Sequence, residues 1–252
     1  MAKIVFLGTA SAIADQTHDN THLLIQNEDR IVLVDCGGNP GPRLIRTGIN
    51  PDRITDLLLT HFHPDHVAGA PLWLMNLWLQ GRTQTLTVHG LEHTIQRLQA
   101  MLDLYEWGKW PDFFPVIFKI IPEDGNSLVI QDSDLVVTAS PVKHLLPTIG
   151  IRIDIPLSGA SAAYSSDTEP CDAVISLAED VDVLIHEASG ASMGHSSAQQ
   201  AGEIARKSGA RSLVLIHYSP STPEDELIHA AKEAYPGPVS IARDFDEFSL
   251  RS

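Results

Sequence analysis

The chain has 252 residues, 43% of them hydrophobic, which is enough for a sizeable buried core and excludes a disordered tail. Its formal net charge is −15, with 17 Lys and Arg spread thinly and in no basic run. That balance argues against a surface built to grip a long nucleic-acid backbone, where phosphate neutralisation supplies most non-specific affinity.

Two cysteines, Cys36 and Cys171, imply no disulfide framework. The longest apolar stretch, Val67–Leu79, is too short for a membrane span and carries Asn76. The segment Met1–Gly8 is broken by glycine too early for a leader and reads as a strand. A cytoplasmic location and no membrane partner are expected.

In chain order, apolar runs closed by turn residues predict strands at Ile4–Leu7, Leu23–Gln26 and Ile31–Asp35, a helix at Gly41–Thr47 and a strand at Leu57–Thr60. Helical spacing follows at His66–Leu79 and Gly90–Tyr105. Strands come next at Val116–Ile121, Ser127–Ile130, Leu135–Ser140, Ile149–Ile155, Ala162–Ser166 and Val183–Glu187. A helix at Ala198–Lys207, a strand at Leu213–His217, a helix at Pro223–Tyr235 and a strand at Val239–Ala242 complete the series. Each half begins with strands and no linker divides them, so one α/β domain over residues 1–252 is expected. Two sheets packed face to face with helices outside, a four-layer αβ/βα sandwich, suit this order. The His66–Leu79 segment is apolar on nearly all sides, which predicts core burial or tryptophans, Trp73 and Trp78, facing a partner subunit. The aromatic run Leu104–Phe114 suits either a wall over the active site or a buried loop anchor.

The chemistry concentrates in Thr60-His61-Phe62-His63-Pro64-Asp65-His66, between a strand and a helical pattern. Three histidines and an aspartate so close together need partners if buried. Imidazole nitrogens suit zinc, and a mixed His/Asp set suits catalytic more than closed structural sites. His61 and His63, two apart in an extended segment, project to one side and can share a metal. Asp65 and His66 lie on the turn beyond and can address a second.

This segment resembles the HxHxDH signature of the metallo-β-lactamase superfamily at every fixed position. The resemblance asks for later residues just past apolar strands, and His144, Asp167 and His217 meet it. It implies one metal held by His61, His63, His144 and Asp167. A second is then held by Asp65, His66, His217 and the bridging Asp167. Two zinc ions, with manganese or iron as alternatives, would together activate a water molecule. Asp65 would orient that water or accept its proton. Asp35 reads equally as a support for the ligands or as a plain strand-end turn.

Pro141-Val142-Lys143-His144 resembles the PxKH loop of ribonuclease Z-type proteins, and His186-Glu187-Ala188-Ser189 resembles their HEAT segment. Gly194-His195-Ser196-Ser197 resembles the histidine motif that pairs with that glutamate. The resemblance therefore makes His195 a general acid for the leaving oxygen, oriented by Glu187. Phe6–Ala12 is similar to the first loop of this group, and it reads equally as a source of amides for substrate phosphate or as a plain turn. One departure is large. Between His144 and Asp167 there is room only for two strands and a turn, so the arm with which bacterial ribonuclease Z proteins grip tRNA is missing.

The expected function is hydrolysis of small or cyclic phosphodiesters or RNA ends, with RNA disfavoured as a partner and a homodimer possible. The alternatives are tRNA 3′-processing of the ribonuclease Z type, thioester or lactone hydrolysis of the glyoxalase II type, and a non-catalytic binding module. The Glu187/His195 pair argues against acyl hydrolysis, and the complete ligand set argues against a binding module.

Overall fold

The computed structural model describes residues 2–250. Its first half carries β1 (Ala2–Gly8), β2 (His22–Gln26), β3 (Ile31–Val34), α1 (Pro40–Arg46), β4 (Asp56–Leu58), α2 (Pro64–Val67), α3 (Ala70–Leu79), β5 (Leu86–Leu91), α4 (Glu92–Leu104) and β6 (Val116–Ile121). The second half carries β7 (Ser127–Gln131), β8 (Val136–Val142), β9 (Thr148–Ile155), β10 (Ala160–Tyr164), α5 (Asp172–Leu177), β11 (Val183–Glu187), α6 (Ala198–Ser208), β12 (Leu213–Ile216), α7 (Glu224–Ala234), β13 (Val239–Ile241) and β14 (Glu247–Leu250).

Two seven-stranded sheets result, ordered β14-β1-β2-β3-β4-β5-β6 and β13-β12-β11-β10-β9-β8-β7. In the first, β14 to β3 pair antiparallel and β3 to β6 pair parallel. In the second, β7 to β10 pair antiparallel and β10 to β13 pair parallel. The two halves thus repeat one mixed topology. Residues such as Ile25, Val34, Val137, Ile151 and Ile185 form a core between the sheets. A second core joins the first sheet to α1, α3 and α4, and a third joins the other sheet to α5, α6 and α7. The layers are therefore helix, sheet, sheet, helix, the expected αβ/βα sandwich. Central strands β3, β10, β11 and β12 are buried along their whole length. Burial on both faces is why they read as continuous apolar runs rather than as alternation.

The structure departs from the sequence reading at several elements. The expected helix His66–Leu79 breaks into α2 and α3 at Ala68-Gly69. Gly69 permits the break: a Cβ there would lie 1.7 Å from the Gly38 carbonyl oxygen, while its amide donates to the Cys36 carbonyl. The residues Leu86–Leu91, partly assigned to a helix, form β5, and α4 starts only at Glu92. Strand β14 and helix α5 were not anticipated. Trp73 is fully buried and so belongs to the core, and Trp78 stacks on Trp110 at 5.2 Å. The aromatic run Leu104–Phe114 packs there, with Tyr105 and Trp110 beside Pro71, Leu72 and Met75; it does not line the cavity formed by His63, Asp65, Asp167, His195 and His217. Among the described residues no helix is long and apolar enough to cross a membrane.

Candidate metal centre

All seven residues singled out as metal ligands converge at one rim of the sandwich, just past strand ends. His61 to His66 follow β4, His144 follows β8, Asp167 follows β10 and His217 follows β12. Both sheets thus contribute. Around this rim Asp35, Ser166 and His217 adopt left-handed backbone conformations, with φ of 65°, 53° and 53°. Such angles are uncommon outside glycine and gather at functional sites.

The side chains fall into two groups whose donor atoms lie within 4.8 Å of one another: His61, His63, His144 and Asp167, and Asp65, His66, Asp167 and His217. His63 Nδ1 lies 3.1 Å from both His61 Nε2 and His144 Nε2. A tetrahedral ion with bonds of about 2.0–2.1 Å would place its ligand nitrogens about 3.3 Å apart, so this spacing fits one. In the second group Asp167 Oδ2 lies 3.2 Å from His217 Nε2 and 3.6 Å from His66 Nε2, and Asp65 Oδ2 lies 3.5 Å from His66 Nε2.

The opposite edges of the rings are fixed by hydrogen bonds. His66 Nδ1–H donates to Asp35 Oδ2 at 2.8 Å, and His144 Nδ1–H to the Gly194 carbonyl at 2.6 Å. His61 Nδ1–H meets Thr60 Oγ1, whose own hydroxyl donates to Asp35, and His217 Nδ1–H meets Thr21 Oγ1. These contacts leave Nε2 of each ring for a metal. Asp35 is fully buried and also accepts the Thr60 amide, which makes it a support of the ligands and more than a turn residue. Thr60, Thr21 and Gly194 escaped the sequence reading, since their only signal was adjacency to a motif or to a strand start.

Burial pushes the imidazoles of His61, His63 and His144 towards the neutral form, the form that binds metal. Burial alone would raise the Asp167 carboxyl, but His217 and His66 outweigh it and hold it well below the usual range. Burial likewise opposes charge on His66, yet Asp167 and Asp35 raise it well above the ordinary histidine value. His66 Nε2 and Asp167 Oδ1 are buried with no hydrogen-bond partner. Each such orphan costs about 1–3 kcal/mol, a cost that a shared cation removes. The donor set and the orphaned atoms fit a pair of divalent ions.

Beside this cluster Glu187, fully buried, accepts His195 Nδ1–H at 3.0 Å, with the Thr168 and Ser196 amides on the same oxygen. Its other oxygen accepts the Ser189 amide and hydroxyl. The Glu187 bond raises His195 above the usual histidine range, against partial burial. The His195 ring lies parallel to that of His217 at 6.1 Å. A cavity of about 410 Å³ opens here, lined by Ser11, Ala12, Ile13, His63, Asp65, Asp167, Ser189, His195 and His217 among others. The early loop contributes Ser11, Ala12 and Ile13 to it, and three of the loop's amides are already engaged within the protein. Thr9 and Ala10 donate to the Asp19 carbonyl, and Ser11 donates to that of Tyr218.

The chain is similar to known proteins over almost its whole length. Ribonuclease Z of Methanothermobacter thermautotrophicus is 28% identical, over 94% of this chain and 93% of its own length. That alignment runs over 292 positions against 252 residues here, so the relative carries segments that this chain lacks. Between His144 and Asp167 only β9, a turn and β10 are present. Among solved structures, the metallo-β-lactamase-fold protein YhfI of Bacillus subtilis superposes with a TM-score of 0.83 at 23% identity, over 98% of both chains. The short form of human tRNase Z superposes with a TM-score of 0.80 at 24% identity, over 99% of this chain and 100% of its own. The fold is that of the metallo-β-lactamases, and the chain is similar over almost its whole length to ribonuclease Z-type metallo-hydrolases. The family described as anti-Pycsar protein Apyc1 matches residues 2–235, and the chain belongs to it.

Proposed function

We propose that this chain is a two-metal phosphodiesterase acting on small or cyclic phosphodiesters. One observation carries the reading: His195, held by the buried Glu187, lines the same cavity as His63, Asp65, Asp167 and His217 of the two His/Asp groups. Two divalent ions, zinc in our reading, supply electrostatic stabilisation of the phosphoryl oxygens and an activated water. The first would be held by His61, His63, His144 and Asp167, the second by Asp65, His66, His217 and Asp167. Asp65 orients the attacking water and takes its proton. As the water oxygen bonds to phosphorus, the bond to the leaving oxygen breaks, and that oxygen takes a proton from His195. Glu187 stabilises the protonated imidazole and fixes its ring.

Size and charge support a small substrate. The cavity is in the range of small-molecule pockets, about 300–1,000 Å³. The net charge is −15, and no arm separates β9 from β10. Because both sheets supply the centre, we read the chain as one domain, in a cytosolic setting. The exposed Leu72, Leu104 and Tyr105 beside Trp110 support a homodimer formed through this face. Leu72→Asp is expected to yield a monomer in sedimentation, and an unchanged mass would remove that assignment.

The test of the activity is turnover of bis(p-nitrophenyl) phosphate by the zinc-loaded chain, beside a thioester and a lactone, with metal content measured on the same sample. Dominant phosphodiester cleavage at about two metals per chain is expected. Dominant acyl cleavage would move the chain to the acyl hydrolases.

A further inference from the structure

The loop between β1 and β2 places Ser11, Ala12 and Ile13 in the wall of the cavity. Ile13 is 77% exposed, an unpartnered apolar side chain at the mouth of a site whose other walls carry histidine and carboxylate. The loop that carries it is held at both ends by a distant residue. Asp244, whose side chain is 4% exposed, accepts the Thr9 hydroxyl on Oδ1 at 2.7 Å and the Asp19 amide on Oδ2 at 2.9 Å. Arg43 pairs with the same carboxylate. Asp244 lies beyond residues 2–235, the segment that matches the family.

The tip is ordered from within as well. Asp15 Oδ1 accepts the Thr17 and His18 amides at 2.7 and 2.8 Å, and the His18 ring meets Tyr218 edge-on at 5.9 Å. Tyr218 adjoins the ligand candidate His217, and the His217 amide donates to the Thr9 carbonyl. The loop is thus preorganised over the metal centre, and a substrate contact with Ile13 costs little further ordering.

We propose that Ile13 is a specificity-determining contact for the non-leaving organic group of the diester, favouring a flat ring over a small alkyl group, and that Asp244 is a positioning residue acting through the Thr9–Asp19 loop. This rests on the phosphodiesterase reading. An apolar side chain at a fixed place discriminates by the surface it covers, and one such contact is worth about ten-fold or more in kcat/KM. Arg43 and Asp244 set where that contact sits without touching substrate.

The experiment uses the metal-loaded full chain and two diesters with the same leaving group, bis(p-nitrophenyl) phosphate and methyl p-nitrophenyl phosphate. They differ only in the group that stays on phosphorus. Ile13→Ser is expected to lower the ratio of their kcat/KM values by about ten-fold. Asp244→Ala should lower the same ratio, and the double variant should lower it no further than Ile13→Ser alone, since both act through one contact. Thr9→Val removes one of the Asp244 bonds at nearly constant shape and covers the case in which Asp244→Ala fails to fold. A ratio unmoved by Ile13→Ser overturns the contact. If Asp244→Ala and Thr9→Val lower both substrates equally, or add to Ile13→Ser, the positioning role is overturned. Failure of the wild-type chain to cleave either diester would sink the phosphodiesterase reading instead, which keeps the two failures apart.

Discussion

At the scale of single residues the site divides into the groups proposed to hold metal and the groups that hold those groups. His195 belongs to neither, because its Nδ1 edge is tied to buried Glu187 while the residue lines the cavity. If it protonates the leaving oxygen, its importance depends on how badly that oxygen needs a proton. His195→Ala should lower kcat about 10²–10⁴-fold on diesters with alkyl leaving groups, and only a few-fold with p-nitrophenolate, at unchanged metal content. An equal loss on both kinds of substrate would instead mark His195 as a structural residue. Asp35 tests the supports, since it binds His66 directly and His61 through Thr60. Asp35→Asn should weaken metal affinity about 10–100-fold in chelator competition, and undiminished affinity would show that the ring orientations need no anion. Asp167→Ala should go further and reduce the bound metal below two per chain. Metal content and turnover that both survive the change would remove Asp167 from the bridge.

Elements differ in how openly the sequence declares them. Strands buried on both faces, such as Leu213–Ile216, announce themselves by composition, and α6 by the Ser197–Gln200 capping box and by Gly209 at its C-terminus with φ 74°. The seven metal-binding candidates were legible because one compact motif named four of them and strand ends located the others. Strand β5 was hidden because Leu86–Leu91 carries His89 and Gly90, which read as polar and as a breaker. In the fold His89 is paired across the sheet: its Nε2 meets Asp56 Oδ1 at 2.8 Å, and Arg30 closes on the same carboxylate. No local pattern could show that long-range pairing. The pair also has a pH signature. Burial raises the Asp56 carboxyl, but the His89 and Arg30 contacts prevail and hold it below the usual carboxylate value. A depressed folded value means that its stabilisation is present above the unfolded pKa, about 3.9, and is lost as pH falls through the folded one. Asp56→Asn should therefore cost about 1–3 kcal/mol at pH 7, with the gap from wild type narrowing below about pH 4. Urea unfolding of both proteins in chelator at pH 3, 5 and 7 measures it, and a gap independent of pH would refute the charged pairing.

For the whole molecule the same metal-binding rim must be separated from the surface that would recognise a large substrate. The ribonuclease Z relative aligns along almost its full length, so shared ancestry by itself would allow tRNA as substrate. Electrostatics and shape oppose it. A protein that neutralises several phosphates needs Lys and Arg near the site, yet the cavity is lined by histidine, carboxylate, serine and apolar side chains. The net charge of −15 repels a polyanion at any distance not screened by salt. Only β9, a turn and β10 occupy the interval between His144 and Asp167, leaving no projecting arm to reach a tRNA body. A small diester meets none of these obstacles, because cations held by the two His/Asp groups would neutralise it locally. Precursor tRNA should therefore neither be cleaved nor inhibit turnover of a small diester at micromolar concentrations and about 0.15 M salt, where the Debye length is about 8 Å. Raising salt from 50 to 200 mM should change small-diester kcat/KM by less than a few-fold, whereas a phosphate-gripping enzyme would lose about 10³–10⁵ in affinity for its RNA over that range. Cleavage of precursor tRNA at low enzyme concentration, with a steep salt dependence, would mean that the chain recognises RNA through a surface built without an arm or a basic run.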